Sequence, residues 1–156
     1  MFGFLKRKIR EIYAPADGQV VALESVNDEV FSKKLVGDGV ALIPMSDVFS
    51  APIEGKVTKI FSTNHAYSIK SPKDLEVMVH IGLETVALEG KGFERLVNEG
   101  DEVKVGDPII RVDLPYIREH AKDIITPIII SEESDVKTID KRLNIVKGKD
   151  VIMEVN

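Results

Sequence analysis

The stretch Phe61–Ile81, FSTNHAYSIKSPKDLEVMVHI, predicts a β-hairpin. Two runs of β-type residues flank the sequence SPKD, whose proline and aspartate favour a turn. A hairpin centred between Pro72 and Lys73 places His65 directly opposite His80. Opposed residues on antiparallel strands share one face, with Cβ atoms about 4.5–5.5 Å apart. This register therefore predicts that the two imidazoles are neighbours, whereas a slip by one residue would put them on opposite faces.

The rest of the chain shows the same pattern of short β-type runs, with turn residues about every ten positions. Two short helices are also predicted, at Gly92–Asn98 and from Pro115 to Lys122. The pattern is typical of an all-β protein, an antiparallel β-sandwich or barrel with few short helices. The predicted strands are Gln19–Glu24, Ala41–Pro44, Lys56–Phe61, Ala66–Lys70, Glu76–Ile81, Pro108–Val112, Thr126–Ile130 and Asp150–Val155.

A short internal similarity precedes two of these strands. APADGQV at Ala14–Val20 resembles APIEGKV at Ala51–Val57. Each segment places proline and then glycine before a valine-containing strand, as a turn that leads into a strand requires. Two interpretations stay open at this point, common turn chemistry and duplication of a structural unit.

Composition excludes several classes of protein. The 156 residues suit one domain, and the net charge of −5 argues against nucleic acid as a partner. The chain has no cysteine, so it has no disulfide, thiol nucleophile or cysteine-based metal site. No apolar run approaches the roughly 20 residues of a membrane-spanning helix. We therefore expect a soluble, cytoplasmic protein.

The N-terminal segment 1–12 differs from the domain that we expect over residues 13–156. Four basic side chains alternate there with Phe2, Phe4, Leu5 and Ile9. On a helix, three of these apolar residues would share one face above a basic surface. We expect this segment to be flexible in solution and to bind an anionic membrane surface, so the protein would be peripheral at the inner face of the membrane.

The expected pair of histidines can support several kinds of chemistry. A neutral imidazole is a good nucleophile that can hold a phosphoryl group. A second imidazole can donate a hydrogen bond to that group and stabilise its charge. Thr63 lies where it can fix the tautomer of His65. Two histidines in a structural role, or part of a metal site, remain alternatives, although a closed zinc site normally has four ligands.

Four stretches together resemble one known family. They are FSKKLVGDGVAL (31–42), IFSTNHAYSI (60–69), VMVHIGLETVALEGKGF (77–93) and EGDEVKVGDPII (99–110). In this combination and order they resemble the glucose-type IIA proteins of the bacterial phosphoenolpyruvate:sugar phosphotransferase system. The resemblance extends from about Ile12 to the C-terminus and implies an antiparallel β-sandwich or barrel.

The resemblance also implies a role for each residue of the motifs. His80 of VHIG would receive a phosphoryl group on Nε2 from the protein HPr and pass it to the cysteine of a sugar-specific IIB domain. His65 of TNHA would stabilise the phosphoryl group, and Thr63 would orient His65. The carbonyl of Gly82 would accept a hydrogen bond from Nδ1 of His80.

The family's docking face and acidic neighbours can be assigned in the same way. Asp28 and Glu84 would be carboxylates beside the site that help to expel the phosphoryl group. No cofactor is implied, although His65 and His80 could bind zinc together with a carboxylate from a partner. Other regulatory target proteins are conceivable partners. The docking face would comprise Val30, Phe31, Leu35, Val36, Phe61, Met78 and Val86.

Two other functions compete with this interpretation. APIEGKV and EGDEVKVGDPII also resemble the flanking strands of biotinyl or lipoyl carrier domains, but Lys73 at a hairpin tip lacks the neighbours of a modified lysine. A zinc-binding hydrolase of a related β-fold would need a His-x-His pair. Met78 stands where the first histidine of that pair would be.

Overall fold

The computed structural model describes residues 9–156. Positions 1–8 of the N-terminal segment predicted to bind a membrane therefore lie outside the described residues. None of the helices between residues 9 and 156 is both long and apolar enough to cross a membrane.

Fourteen short strands account for most of the regular structure of residues 9–156. Each of the eight predicted strands is present, with bounds shifted by a few residues. The strands are β1 (Arg10–Tyr13), β2 (Gly18–Ala22), β3 (Gly37–Pro44), β4 (Val48–Ser50), β5 (Gly55–Ile60), β6 (Ala66–Ser71), β7 (Leu75–His80), β8 (Phe93–Arg95), β9 (Glu102–Val103), β10 (Pro108–Val112), β11 (Thr126–Ser131), β12 (Ile139–Lys141), β13 (Ile145–Val146) and β14 (Val151–Val155).

The strands form three sheets, in which all pairings are antiparallel. The largest has the order β13-β2-β3-β11-β7-β6-β5-β9, and the two smaller sheets are β1-β14-β12 and β4-β10-β8. One large apolar core takes side chains from all three sheets, such as Ile12, Phe49 and Val79. The fold is thus an antiparallel β-sandwich with few short helices, as predicted.

The helices are short, and one of the two predicted helices is wrong. Helix α2 (Leu114–His120) is present and is capped by Asp113, whose carboxylate accepts a hydrogen bond from the backbone N–H of Tyr116 at 3.1 Å. The segment predicted as a helix at Gly92–Asn98 instead contains β8, paired with β10. Gly92 has φ of +88°, which a right-handed helix does not allow. Helix α1 (Glu29–Ser32) was not predicted.

The proposed register of the central hairpin is wrong by one residue. Strands β6 and β7 pair Ser71 with Leu75 and Ala66 with His80, rather than His65 with His80. Asp74 adopts φ of +58°, which moves the centre of the turn toward the C-terminus. The contact between the two histidines therefore requires another explanation.

The two similar segments occupy equivalent places, which favours duplication over chance. They lie side by side and exchange reciprocal hydrogen bonds, from Tyr13 N–H to Pro52 O at 2.9 Å and from Ser50 N–H to Pro15 O at 2.8 Å. Each segment also meets a similar loop. In these loops Asp107 caps the backbone of Lys104 and Asp150 caps that of Lys147, at 2.8 and 2.9 Å.

Residues 10–12, which were predicted as part of the N-terminal segment, lie in a strand of the sandwich. Arg10 to Tyr13 form β1, which pairs with β14. Ile12 is fully buried in the main core. Since burial of this side chain ties the strand to the core, residues 10–12 belong to the folded sandwich and not to a flexible segment.

Candidate functional site

His65 lies in the tight turn between β5 and β6. The turn is closed by hydrogen bonds from Phe61 N–H to Ala66 O at 3.0 Å and from Asn64 N–H to Phe61 O at 2.7 Å. Asn64 takes the left-handed conformation with φ of +60°, which asparagine tolerates better than most residues. His65 follows directly and is 2% exposed, so the turn delivers a buried imidazole to the end of the sheet.

His80 is the last residue of β7, and its ring is held by the loop that follows. Its Nδ1 lies 2.8 Å from the carbonyl oxygen of Gly82. A carbonyl can only accept a hydrogen bond, so Nδ1 must carry the proton. The neutral ring therefore presents an unprotonated Nε2, which is its nucleophilic nitrogen.

Gly82 can hold its carbonyl in this position because it has no side chain. Its φ is +76°, and a Cβ atom there would lie 2.7 Å from Cγ2 of Thr85 and 2.9 Å from the carbonyl oxygen of Asp123. The loop is further fixed by a hydrogen bond from Leu83 N–H to Asp123 O at 2.9 Å. The backbone of residues 82–83 thus determines which nitrogen of His80 is free.

We predict that Gly82→Ala disturbs both the loop and His80. The added methyl group must occupy a strained conformation against backbone, which should lower the free energy of unfolding by about 1–3 kcal/mol. Denaturant unfolding measures this loss, and ¹⁵N chemical shifts of His80 report its tautomer. Unchanged stability together with an unchanged tautomer would contradict the prediction. Gly100→Ala is a control for backbone strain alone, since Gly100 also has a positive φ of +92° but a Cβ there meets nothing within 4 Å.

The two imidazoles lie in contact. Their ring centroids are 4.9 Å apart and their planes meet at 78°. The prediction that His65 and His80 are neighbours is therefore confirmed, although the register that produced it is not. His65 precedes β6, so the alternation of side chains along a strand does not determine its direction. The turn through Asn64 brings its ring into contact with that of His80.

Thr63 lies in the same turn and contacts the other side of His65. Its Oγ1 is 2.6 Å from Nδ1 of His65. A hydroxyl can donate or accept, so this contact permits either tautomer. When Thr63 donates, the proton of the neutral His65 resides on Nε2, where the ring can donate a hydrogen bond to an oxygen atom.

Three phenylalanine rings enclose the pair. The ring of Phe31 lies 5.0 Å from that of His80 between centroids. Phe61 and Phe93 meet the ring of His65 at 5.2 and 6.5 Å between centroids, with interplanar angles of 70° and 66°. These apolar walls keep water from much of both imidazoles and strengthen any electrostatic interaction made there.

Burial favours the neutral form of both histidines. Burial and, to a lesser extent, the charge of His80 lower the pKa of His65 to about 4. The pKa of His80 is also lowered by burial, although the Gly82 carbonyl and the Asp28 carboxylate partly oppose this effect. Both rings are therefore neutral near pH 7, as a nucleophile and a neutral donor must be.

The lowered pKa of His65 predicts how stability depends on pH. The pKa falls from the unperturbed 6.5 to about 4 on folding, so the unfolded chain binds more protons between these values. The free energy of unfolding should thus be unaffected above pH 6.5 and decrease as the pH falls toward 4, by on the order of 3 kcal/mol. Denaturant unfolding of the wild type and His65→Gln measures this contribution. Equal losses of stability in both proteins on acidification would contradict it.

Most of the apolar side chains assigned to the docking face are exposed or half-buried. Of the seven residues assigned to the docking face, Val30, Leu35, Val36 and Val86 are exposed. Phe61 and Met78 are half-buried. Phe31 differs, because it is only 6% exposed and packs against His80. Its ring therefore forms a wall of the site rather than part of an open surface.

The two predicted acidic neighbours have different environments. Asp28 caps α1 by accepting a hydrogen bond from Val30 N–H at 3.0 Å. Glu84 is exposed and pairs with Lys122, whose Nζ lies 3.6 Å from Oε2. The same ammonium group donates to the carbonyl of Asn27 at 3.0 Å, so Lys122 joins the loops that carry both carboxylates.

Metal ligands do not cluster in the described part of the chain. Between residues 9 and 156, no group of three histidine, aspartate or glutamate side chains is placed to hold a metal ion. Within these residues, no third side chain joins His65 and His80 to form a zinc site.

Sequence reasoning missed three residues around the site, Phe93, Arg95 and Lys122. Arg95 lies on β8 and contacts the turn that carries His65. The wrongly predicted helix at residues 92–98 concealed both Phe93 and Arg95, since the direction of their side chains depends on the strand. Lys122 carries no local signal, because charged surface residues are common and its partners lie far away in the sequence.

Comparisons with known proteins identify the family of the chain. The family model described as phosphoenolpyruvate-dependent sugar phosphotransferase system, EIIA 1, matches residues 10–136. The glucose-specific EIIA component of Buchnera aphidicola subsp. Baizongia pistaciae is 48% identical over 145 residues, which cover 92% of this chain and 86% of that protein. An N-acetylglucosamine-specific EIICBA component of Klebsiella pneumoniae is 44% identical over 133 residues, 85% of this chain and 20% of that protein.

A solved structure shows the same fold. Glucose permease IIA from Mycoplasma capricolum matches with a TM-score of 0.92 and 38% identity, over 99% of this chain and 99% of that chain. These matches favour a phosphotransferase component over a biotinyl or lipoyl module and over a zinc-binding hydrolase. The chain belongs to the EIIA 1 family of the phosphoenolpyruvate-dependent sugar phosphotransferase system.

Proposed function

We propose that the chain is a phosphocarrier in which Nε2 of His80 accepts a phosphoryl group from the phosphohistidine of HPr and passes it to the cysteine of a sugar-specific IIB domain. The observation that carries this proposal is the 2.8 Å contact between Nδ1 of His80 and the Gly82 carbonyl, which leaves Nε2 free to attack. Membership of the EIIA family supports the same chemistry.

Each transfer breaks one bond to phosphorus and forms another. In the first step, the P–N bond to HPr breaks as the lone pair of His80 Nε2 forms a bond to phosphorus. The ring then carries a positive charge, because Nδ1 keeps its proton, and the Gly82 carbonyl and the nearby Asp28 carboxylate favour that charge. In the second step, a thiolate of IIB attacks phosphorus, and His80 leaves as a neutral imidazole.

His65 assists without forming a bond to phosphorus. With Thr63 donating to its Nδ1, His65 presents Nε2–H to the phosphoryl oxygens of phosphorylated His80. Its low pKa keeps it a neutral donor, so no proton has to be lost when the phosphoryl group departs. Positioned donors of this kind stabilise charge in the transition state of phosphoryl transfer.

Both protein partners would dock on the exposed apolar rim. Val30, Leu35, Val36 and Val86 are exposed, and a partner bound over them and the two histidines would exclude water from the reacting groups. One rim can serve HPr and IIB in turn, since the phosphoryl group enters and leaves at the same nitrogen. The Klebsiella relative named as an EIICBA component supports IIB as a partner, because its name places A and B units in one protein.

Other partners and the location of the protein stay predictions. We propose a cytoplasmic protein that visits the inner membrane face, with the basic N-terminal residues contacting anionic lipid. Zinc would bind only at an interface at which a partner adds a carboxylate to His65 and His80. Nucleic acid is not proposed as a partner, given the net charge of −5.

A reconstituted transport reaction tests the proposed function. Membranes that contain a glucose-type IIBC permease but no IIA unit are supplied with phosphoenolpyruvate, enzyme I, HPr and sugar. Addition of this chain should restore formation of sugar phosphate in proportion to its concentration. No sugar phosphate with any glucose-type permease, while an authentic IIA protein restores the reaction, would contradict the proposal.

A further inference from the structure

The turn that presents His65 has little regular structure of its own. Residues 61–65 lie between β5 and β6, and Asn64 holds a left-handed conformation. The hydrogen bond between Thr63 and His65 lies within this same turn. The direction and tautomer of His65 therefore depend on the few hydrogen bonds within the turn and on the side chains that hold it from outside.

Arg95 contacts the turn at two points. Its Nε donates to Oδ1 of Asn64 at 3.0 Å, and its Nη2 donates to the carbonyl of Phe61 at 3.4 Å. The Phe61 carbonyl also accepts the N–H of Asn64, which closes the turn. The guanidinium thus joins the first residue of the turn to the left-handed residue that precedes His65.

Strand β8 gives Arg95 a fixed base. Arg95 pairs with Ile110 of β10, and Phe93 pairs with Val112. Phe93 and Arg95 lie two residues apart and share one face of the strand. On that face Phe93 approaches the ring of His65, at 6.5 Å between centroids, while Arg95 holds the turn. One strand therefore supports His65 at both its ring and its backbone.

We propose that Arg95 is a positioning residue for phosphoryl transfer, which acts by fixing the turn that orients His65. This inference rests on the proposed function of the site. The planar fork of an arginine reaches two acceptors at once, which the single ammonium group of lysine does not do in the same geometry. Loss of the two hydrogen bonds from Arg95 should make the turn more mobile. The hydrogen bond between Thr63 and His65 would then be less well fixed, and the N–H that His65 directs at the phosphoryl group would be less well oriented.

Variants of Arg95 separate the fork from its charge. Arg95→Lys and Arg95→Gln should both slow phosphoryl transfer from His80 to IIB about tenfold, while acceptance from HPr stays close to normal. The effect should appear in the rate at saturating IIB rather than in the concentration for half-saturation. Arg111→Gln is the matched control, since Arg111 lies on neighbouring β10 and pairs with Glu94 at 3.1 Å.

Variants of Asn64 test the partner of the fork. Asn64→Asp keeps the acceptor and should retain transfer, whereas Asn64→Gly keeps the left-handed backbone but loses the acceptor and should be slow. Combining Asn64→Gly with Arg95→Gln should cost little more than Arg95→Gln alone, because both changes remove the hydrogen bond between the Arg95 guanidinium and Asn64 Oδ1. Additive effects of the two changes would overturn the proposal.

The state of His65 gives a readout that does not depend on transfer. In the unphosphorylated protein, ¹⁵N shifts of the ring nitrogens should indicate one tautomer for the wild type and Arg111→Gln, and a mixture for Arg95→Gln. Unchanged His65 shifts in Arg95→Gln, or normal transfer by Arg95→Lys, would overturn the role of Arg95. Absence of transfer in the wild type would instead refute the proposed function, and the shifts would still decide whether Arg95 orients His65.

Discussion

Replacing His80 with glutamine should abolish uptake of a phosphoryl group from HPr. Glutamine keeps a polar side chain of similar reach but offers no nucleophilic nitrogen, so the covalent intermediate cannot form. His80 is half-buried at the end of β7, so we expect this variant to fold. The loss of uptake would then reflect the missing nucleophile and not unfolding. Uptake is measured with labelled phosphoenolpyruvate, enzyme I and HPr, as label that is stable to base and labile to acid.

His120→Gln is the matched control for this loss. His120 is the third histidine of the chain and lies exposed on α2, where its ring stacks on Tyr116 at 4.1 Å between centroids. Its replacement should leave uptake unchanged. Uptake by His80→Gln at the normal rate would contradict the assignment of the acceptor, and loss of uptake in His120→Gln would move the assignment to α2.

Replacing His65 with glutamine should affect the second transfer far more than the first. The variant should still accept the phosphoryl group, because Gly82 alone fixes the tautomer of His80. Transfer from His80 to IIB should fall by about 100-fold or more, the usual effect of removing one positioned donor. Single-turnover transfer from the isolated phosphorylated protein to IIB measures this step.

Thr63→Val provides the comparison for His65→Gln. It removes the hydroxyl 2.6 Å from Nδ1 but leaves the imidazole, so it should reduce transfer to IIB by less. Normal onward transfer by His65→Gln, or phosphoryl label attached to His65 in the wild type, would contradict the role of a donor. Comparison of the two transfer rates separates the contribution of the imidazole itself from the contribution of its orientation by Thr63.

The fold could be predicted because its strands carry strong local signals. Val77 and Val79 alternate with half-buried residues along β7, and glycine or proline precedes many strands. The helix predicted at Gly92–Asn98 failed because its apolar residues fit either period over so short a segment. Pairing with β10 and the positive φ of Gly92 favour a strand over a helix, and neither can be inferred from the local sequence.

The two histidines could be predicted from the sequence, but the reason for their contact could not. The motif gave His65 and His80, whereas their meeting depends on the left-handed Asn64 and not on strand register. Arg95 reaches this turn across 31 positions in sequence, a pairing that no local pattern contains. Supporting residues of this kind follow from tertiary structure, because many surface arginines could fill such a role.

The central claim is that His80 carries the phosphoryl group, and the mass of the intact protein tests it most directly. The wild-type chain is incubated with phosphoenolpyruvate, enzyme I and HPr, and its mass is measured without acid treatment. We predict a gain of one phosphoryl group that requires all three components, is lost on addition of IIB and sugar, and maps by fragmentation to His80. An unchanged mass, or a phosphoryl group on any other residue, would contradict the account.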